Sequence, residues 1–184
     1  DLITDDCLGW LKKRASQKPF CVLLHHKAPH RNWMPDSKHL SKYEETDVPL
    51  PETFFDDYAT RSDAARQQEM SIADNLRMAS DLKIPPDNTP EDDTPVEKAN
   101  RQDWNAMVGR LDENQKKAWD EGYARSNEAF RKSELKGKDL ARWKYERYIK
   151  DYLRCVASVD DNIGRVMDYL DETGLAENTL VVYT

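Results

Sequence analysis

The chain has 184 residues, a formal net charge of −7, 34% charged residues and 38% hydrophobic ones, with a sequence pI near 5.2. That length suffices for one domain with a substantial core, and the acidic balance argues against a general nucleic-acid binder while leaving room for a local cationic patch that receives a small anion. No apolar run approaches the ~20 residues of a membrane-spanning helix, and no secretory leader pattern opens the sequence, so the expectation is a soluble protein or a piece of one.

A first helix is expected from Thr4, read as its N-cap, with Asp5 and Asp6 in the first turn and Lys12, Lys13 and Arg14 at the other end, charges that suit the helix dipole. Ile3 and Leu8 can form a hydrophobic staple across that start, and Leu8 and Leu11 continue a buried stripe. Residues 20–24, Phe-Cys-Val-Leu-Leu, then read as a short continuous strand of the kind found in parallel sheets covered on both faces. Ligands in open α/β sheets bind just beyond the carboxyl ends of such strands. His25, His26, Lys27, His30 and Arg31 therefore fall where chemistry is expected, although a satisfied core histidine is an equal reading for His25 or His26.

Residues 34–138 read as an insertion between core elements, polar and rich in proline. Pro49, Pro51 and the Phe54–Phe55 pair suggest an extended segment pinned by aromatic anchors, followed by a helix over about 64–82. Pro85, Pro86, Pro90 and Pro95 mark a surface loop, whose acidic run 91–93 reads as solvated and not as a calcium site. Trp104, Met107, Val108 and Leu111 have helical spacing, and Asp112 with Gln115 resembles a capping box opening the next helix. The insertion is long enough for a lid or subsite wall, and a decorative helical excursion is an equal reading.

The last third has the clearest period. Tyr148, Tyr152, Cys155, Val159, Ile163, Val166 and Leu170 recur at intervals of three and four, which puts them on one face of a helix expected over about 140–173, with Gly174 as its C′ residue. Asp160 and Asp161 are neighbours on that helix, so they point about 100° apart and do not converge on a metal. Residues 179–183 read as another strand. Helix, strand, insertion, long helix and strand make an α/β pattern, and a close at a strand with no covering helix suggests part of a larger α/β protein. Cys7, Cys21 and Cys155 lie among apolar residues without metal spacing and are expected to be buried, with a bridge between one pair in an oxidising compartment as the other reading.

Three stretches carry a family resemblance. Residues 18–33, Lys-Pro-Phe-Cys-Val-Leu-Leu-His-His-Lys-Ala-Pro-His-Arg-Asn-Trp, resemble the central strand and histidine loop of type I, formylglycine-dependent sulfatases. Residues 152–166, Tyr-Leu-Arg-Cys-Val-Ala-Ser-Val-Asp-Asp-Asn-Ile-Gly-Arg-Val, resemble their long helix. Residues 177–184, Glu-Asn-Thr-Leu-Val-Val-Tyr-Thr, resemble the strand that leads into the family's Ser-Asp-Asn/Gln/His-Gly metal loop. Within the family, the likeness is strongest to bacterial glycosaminoglycan sulfatases that resemble N-acetylglucosamine-6-sulfatases.

The resemblance implies part of an alkaline-phosphatase-like α/β domain, with a mostly parallel or mixed sheet flanked by helices. It implies hydrolysis of a sulfate ester on a sulfated carbohydrate, by way of a calcium ion and a formylglycine made within a Cys/Ser-x-Pro/Ala-x-Arg motif. No cysteine here stands in that motif, and the expected metal loop would follow residue 184, so the chain alone is expected to contribute no metal ligand and to be inactive. In the family the last histidine of the loop can protonate the departing alcohol; carried over, it is His30. His26 and Lys27 could orient His30 or touch sulfate, and Arg31 and Trp33 could meet an acidic sugar, with a loop salt bridge and a packing anchor as their plainer readings. The partners implied are the sulfated substrate and the rest of the parent chain, in a periplasmic or secreted setting with the lysosome as alternative. Another alkaline-phosphatase-superfamily hydrolase, a phosphodiesterase or phosphonate hydrolase, and a non-catalytic degenerate sulfatase are the competing readings.

Overall fold

The periodic run of the last third forms the spine of the protein. The computed structural model describes residues 1–15, 18–86 and 94–184, and forms six α-helices among them: α1 Leu2–Lys13, α2 Asp63–Gln67, α3 Ile72–Asn75, α4 Pro95–Val108, α5 Glu113–Lys132 and α6 Gly137–Glu172. A 3-10 turn, Ala176–Asn178, follows. The 36 residues of α6 span about 54 Å at the usual rise, and α1 and α3 both pack against it.

The end of α6 is set by Gly174. Its φ of 69° lies in the left-handed region that a side chain disfavours. There the Leu175 N–H donates to Leu170 O at 2.8 Å and the Gly174 N–H to Asp171 O at 3.0 Å, the two bonds of a Schellman cap. α5 opens with the expected box: Asp112 accepts from the Gln115 N–H at 2.8 Å, and Gln115 accepts from the Asp112 N–H at 3.0 Å. A second box, Thr94 with Glu97, opens α4 with Pro95 in the first turn, so a proline read as a loop marker is a helix starter. The acidic run 91–93 and Pro90 lie outside the described residues.

Leu40, Met107, Trp119 and Tyr123 form a buried cluster, with Met34, Trp104, Val108 and Leu111 against it. It joins α4 and α5 to the segment that follows the histidine loop. The approach is closest at Gly122, where a Cβ would fall 2.5 Å from Leu40 Cδ2.

Beside that cluster runs a buried polar network. The Tyr123 hydroxyl and the Arg154 Nη1 each donate to Asp151 Oδ1 at 2.9 Å. Arg147 donates to Leu82 O at 3.0 Å and to Asn127 Oδ1 at 2.7 Å, and Asn127 donates to Lys83 O at 2.9 Å. α5, α6 and the 77–84 turn are thus tied through buried polar groups that bond one another, with Asp151 Oδ2 left without a hydrogen bond among the described residues.

Four sequence expectations change. Thr4 does not cap α1, which begins at Leu2 after Asp1; Thr4 is buried, and its hydroxyl is taken by a histidine described below. The helix over 64–82 breaks into α2 and α3, because Ser71 accepts the Asp74 N–H and donates to the Asp74 carboxylate while Asn75 Oδ1 accepts the Ser71 N–H, local side-chain bonds that compete with a continuous helix. Cys21 is exposed, Cys7 half-buried and Cys155 buried, all as free thiols. No strand forms among the described residues. A strand exists only through its ladder partners, and Leu23 and Leu180, 78% and 89% exposed, have no sheet neighbour among the described residues.

Candidate active site

The loop after residue 24 is held on three sides. Thr4 Oγ1 lies 3.0 Å from His26 Nε2. Burial lowers the His26 pKa, which favours the neutral ring. His26 thereby anchors the start of the loop to α1.

Four residues on, the chain turns. The His30 N–H donates to Lys27 O at 2.9 Å, across a cis Ala28–Pro29 bond, and so presents Lys27 and His30 together. The His30 Nδ1 meets the backbone carbonyl of Arg31. A carbonyl only accepts, so Nδ1 carries a hydrogen and Nε2 is the nitrogen left to exchange a proton with a ligand. The His30 side chain is exposed, and Lys27 makes no side-chain bond among the described residues.

Arg31 reaches the other way. Its Nε donates to Asp81 Oδ1 at 2.7 Å, and its Nη2 donates to Asp81 Oδ2 and, at 3.0 Å, to Asn75 O. This is the planar two-point pairing that suits guanidinium and carboxylate, and it holds the arginine pKa above its ordinary value. Asp81 is completely buried and accepts a further bond, from the Arg77 N–H at 2.8 Å. Trp33 lies against Tyr148 of α6, ring centroids 4.4 Å apart.

Just past the loop, His39 is buried with its two ring nitrogens facing carboxylates, Asp36 at 2.8 Å and Asp161 at 3.2 Å. Asp161 also pairs with Lys38. These pairs pin the loop exit to α6. Asp161 is occupied as an ion-pair partner.

Lys27, His30 and Arg31 line one cavity of about 1260 Å³, whose other walls come from the 74–80 segment and α4. That exceeds the volume of a typical small-molecule pocket, ~300–1,000 Å³. Arg77 and Asp103, also on its wall, are ion-paired to each other. Arg110 has no such partner among the described residues. The 74–80 segment and α4 therefore form a wall of the cavity that the histidine loop enters. Cys155 reaches the same cavity, but burial pushes its thiol up to about 11, which suppresses the nucleophilic thiolate.

Sequence reasoning found the loop residues but missed Asp81, Asn75 and Arg77, which are 44 to 50 positions from Arg31 and lie in a stretch without a recognisable motif. No group of three or more histidine, cysteine, aspartate or glutamate side chains converges on a metal position among the described residues. The positions four after Cys7, Cys21 and Cys155 are Leu11, His25 and Val159, not the arginine of the formylglycine motif. Among the described residues nothing gathers to hold the family's calcium, and no cysteine stands in the formylglycine motif, although Ser62-Asp63-Ala64-Ala65-Arg66 has the spacing of its serine form.

The whole chain is 43% identical to an N-acetylglucosamine-6-O-sulfatase of Bacteroides thetaiotaomicron, of which it covers 32%. A solved structure of a protein in complex with its substrate D-glucosamine-2-N,6-O-disulfate superposes with a TM-score of 0.81 at 41% identity, over 95% of this chain and 34% of that one. The chain thus spans about a third of the length of the relatives it matches, and the likeness supports the α/β class. The family model described as Sulfatase matches residues 1–184, and with it the chain belongs to the sulfatase family.

Proposed function

We propose that this chain is the histidine-loop portion of a sulfuric ester hydrolase acting on a 6-sulfated glucosamine or N-acetylglucosamine unit of a glycosaminoglycan. The observation that carries the reading is the pose of His30: Nδ1 engaged by the Arg31 carbonyl, Nε2 and the neighbouring Lys27 ammonium without a partner among the described residues, on the wall of the cavity. The likeness to an N-acetylglucosamine-6-O-sulfatase and to a protein solved with D-glucosamine-2-N,6-O-disulfate supports the sugar.

Hydrolysis of a sulfate ester breaks the sulfur–oxygen bond to the sugar and expels an alkoxide, a poor leaving group near neutral pH. In this reading, His30 Nε2–H delivers a proton to that oxygen as the bond breaks, and the imidazole keeps the Nδ1 hydrogen bonded to Arg31 O. Lys27 offers its ammonium to the sulfate oxygens, where fixed positive charge is effective once water is excluded. His26, Arg31 and Trp33, each engaged with the body of the protein, hold the loop in place and frame the sugar site. The formylglycine, the calcium ligands and the strands that would pair residues 20–24 and 179–183 in a mostly parallel or mixed sheet belong to other parts of the parent chain in this proposal. A periplasmic or secreted setting is proposed on the family resemblance alone; fractionation of the producing cells tests it.

The test uses the complete enzyme. With glucosamine 6-sulfate and N-acetylglucosamine 6-sulfate as substrates, His30→Ala should lower kcat by about 10²- to 10⁴-fold with little change in KM. The loss should be smaller on 4-nitrophenyl sulfate, whose leaving group needs less protonation. Equal losses on both kinds of substrate would remove the general-acid role. Preference for galactose 6-sulfate or a 2-sulfated uronic acid would sink the sugar assignment.

A further inference from the structure

We infer that Asp81 is a positioning residue for His30, acting at a distance through Arg31; this rests on the general-acid reading above. Asp81 holds the Arg31 side chain at two points, Arg31 Nη2 also bonds Asn75 O, and the Arg31 backbone carbonyl in turn receives His30 Nδ1. The imidazole is therefore oriented by a carbonyl whose own place is set by a side chain clamped to a buried carboxylate. The carboxylate is itself fixed, because the Arg77 N–H donates to it and it has no exposure to water.

The arrangement has the logic of a base held by a carboxylate, with a peptide unit inserted between them. A direct carboxylate on His30 Nδ1 would compensate the imidazolium charge. A carbonyl selects the same tautomer and aims Nε2 without placing a full negative charge beside the ring. The clamp also commits two of the three Arg31 nitrogens to the protein, so its first duty is to the loop and not to an anion on the sugar. Nη1 has no hydrogen bond among the described residues.

Asp81→Asn keeps the shape of the side chain and replaces one acceptor oxygen with a donor, which faces the arginine fork donor to donor. In the complete enzyme we expect kcat on glucosamine 6-sulfate to fall by about 10- to 100-fold, the scale on which a misplaced catalytic group costs rate, with KM changed less than about twofold. The loss should be smaller on 4-nitrophenyl sulfate. In a His30→Ala background, Asp81→Asn should add less than about twofold, since residues acting through one another are non-additive. Arg31→Ala, at a partly exposed side chain, should give the same pattern and serves if Asp81→Asn does not fold, with near-UV circular dichroism as the check. Arg31→Lys, which keeps the charge but not the fork, should fall between.

Equal loss on both substrates, a rise in KM at constant kcat, or full additivity with His30→Ala would each overturn the inference. If His30→Ala itself were insensitive to the leaving group, the general-acid reading would fail and this inference with it. If His30→Ala is leaving-group selective and neither Asp81→Asn nor Arg31→Ala is, only the positioning role is lost.

Discussion

Lys83 lies wholly inside the protein, its ammonium donating to Ser80 O at 3.0 Å and Asp81 O at 2.9 Å. Burial pulls its pKa down from 10.5 to about 8, against the attraction of Asp151 and Asp81. Between about pH 8 and 10.5 the unfolded chain binds the proton that the folded one has released, so the Lys83 contribution to stability rises with pH across that window and is least favourable below it. Cys155 works the other way from its unfolded value of 9.0 up to about 11, because the buried thiol resists an ionisation that the unfolded chain undergoes. The clean measurement is a difference: the apparent unfolding midpoint of wild type relative to Lys83→Met in the complete enzyme should climb from pH 8 to 10. The limiting slope is about 1.4 kcal/mol per pH unit. A flat difference would mean that Lys83 stays protonated through the window. At the same scale, the gathering of Lys27, His30 and Arg31 at the cavity was legible because three histidines and two cations crowd the end of an apolar run, whereas Lys83 and Asp81 sit in an ordinary polar stretch. Thr4 misled for a physical reason: a threonine before two acids has the pattern of a helix cap, and nothing local reveals that its hydroxyl serves His26, 22 positions away.

Among the elements, α6 and the start of α5 were readable since both depend on signals contained within a few residues: an apolar period, a reciprocal Asp–Gln cap and a terminal glycine. The Schellman cap gives a direct test. Gly174→Ala forces a side chain into φ 69°, which costs roughly 1–2 kcal/mol, and should lower the apparent melting temperature of the complete enzyme by a few degrees while leaving kcat on glucosamine 6-sulfate within about twofold. A drop in kcat of tenfold or more at unchanged fold would tie the helix end to the site, contrary to its distance in sequence from every cavity-lining loop residue. The split between α2 and α3 was not readable, because Ser71, Asp74 and Asn75 satisfy backbone and one another only in the particular turn they adopt. Their composition alone is as consistent with a helix as with its interruption.

For the whole molecule, the α/β class was legible through the order of elements, but no sheet forms among the described residues. Leu180, Val181, Val182 and Tyr183, together with Leu23, present apolar side chains to solvent. Contiguous exposed apolar surface of this kind promotes association. The isolated chain should therefore bind a hydrophobic dye, self-associate at micromolar concentration, and fail to turn over 4-nitrophenyl sulfate or a sulfated monosaccharide. Turnover by rigorously purified chain would contradict the assignment of the nucleophile and metal ligands to other segments. A strictly monomeric, dye-silent chain would show that these extended segments find cover of their own.

The long helix serves two different clients along its length. Its first half faces the insertion: Arg147, Asp151 and Arg154 take up Leu82, Asn127, Tyr123 and Glu44. Its second half faces α1, with Arg165 reaching Asp1 and Asp5. The boundary falls where Ser158 and Asp161 receive the loop exit through Asp36, Lys38 and His39. Residues 34–138 are thus fastened at two places, to α6 and, through Asp81 and Asn75 on Arg31, to the histidine loop itself, so a rewritten cavity wall leaves the loop in place only where it spares that clamp.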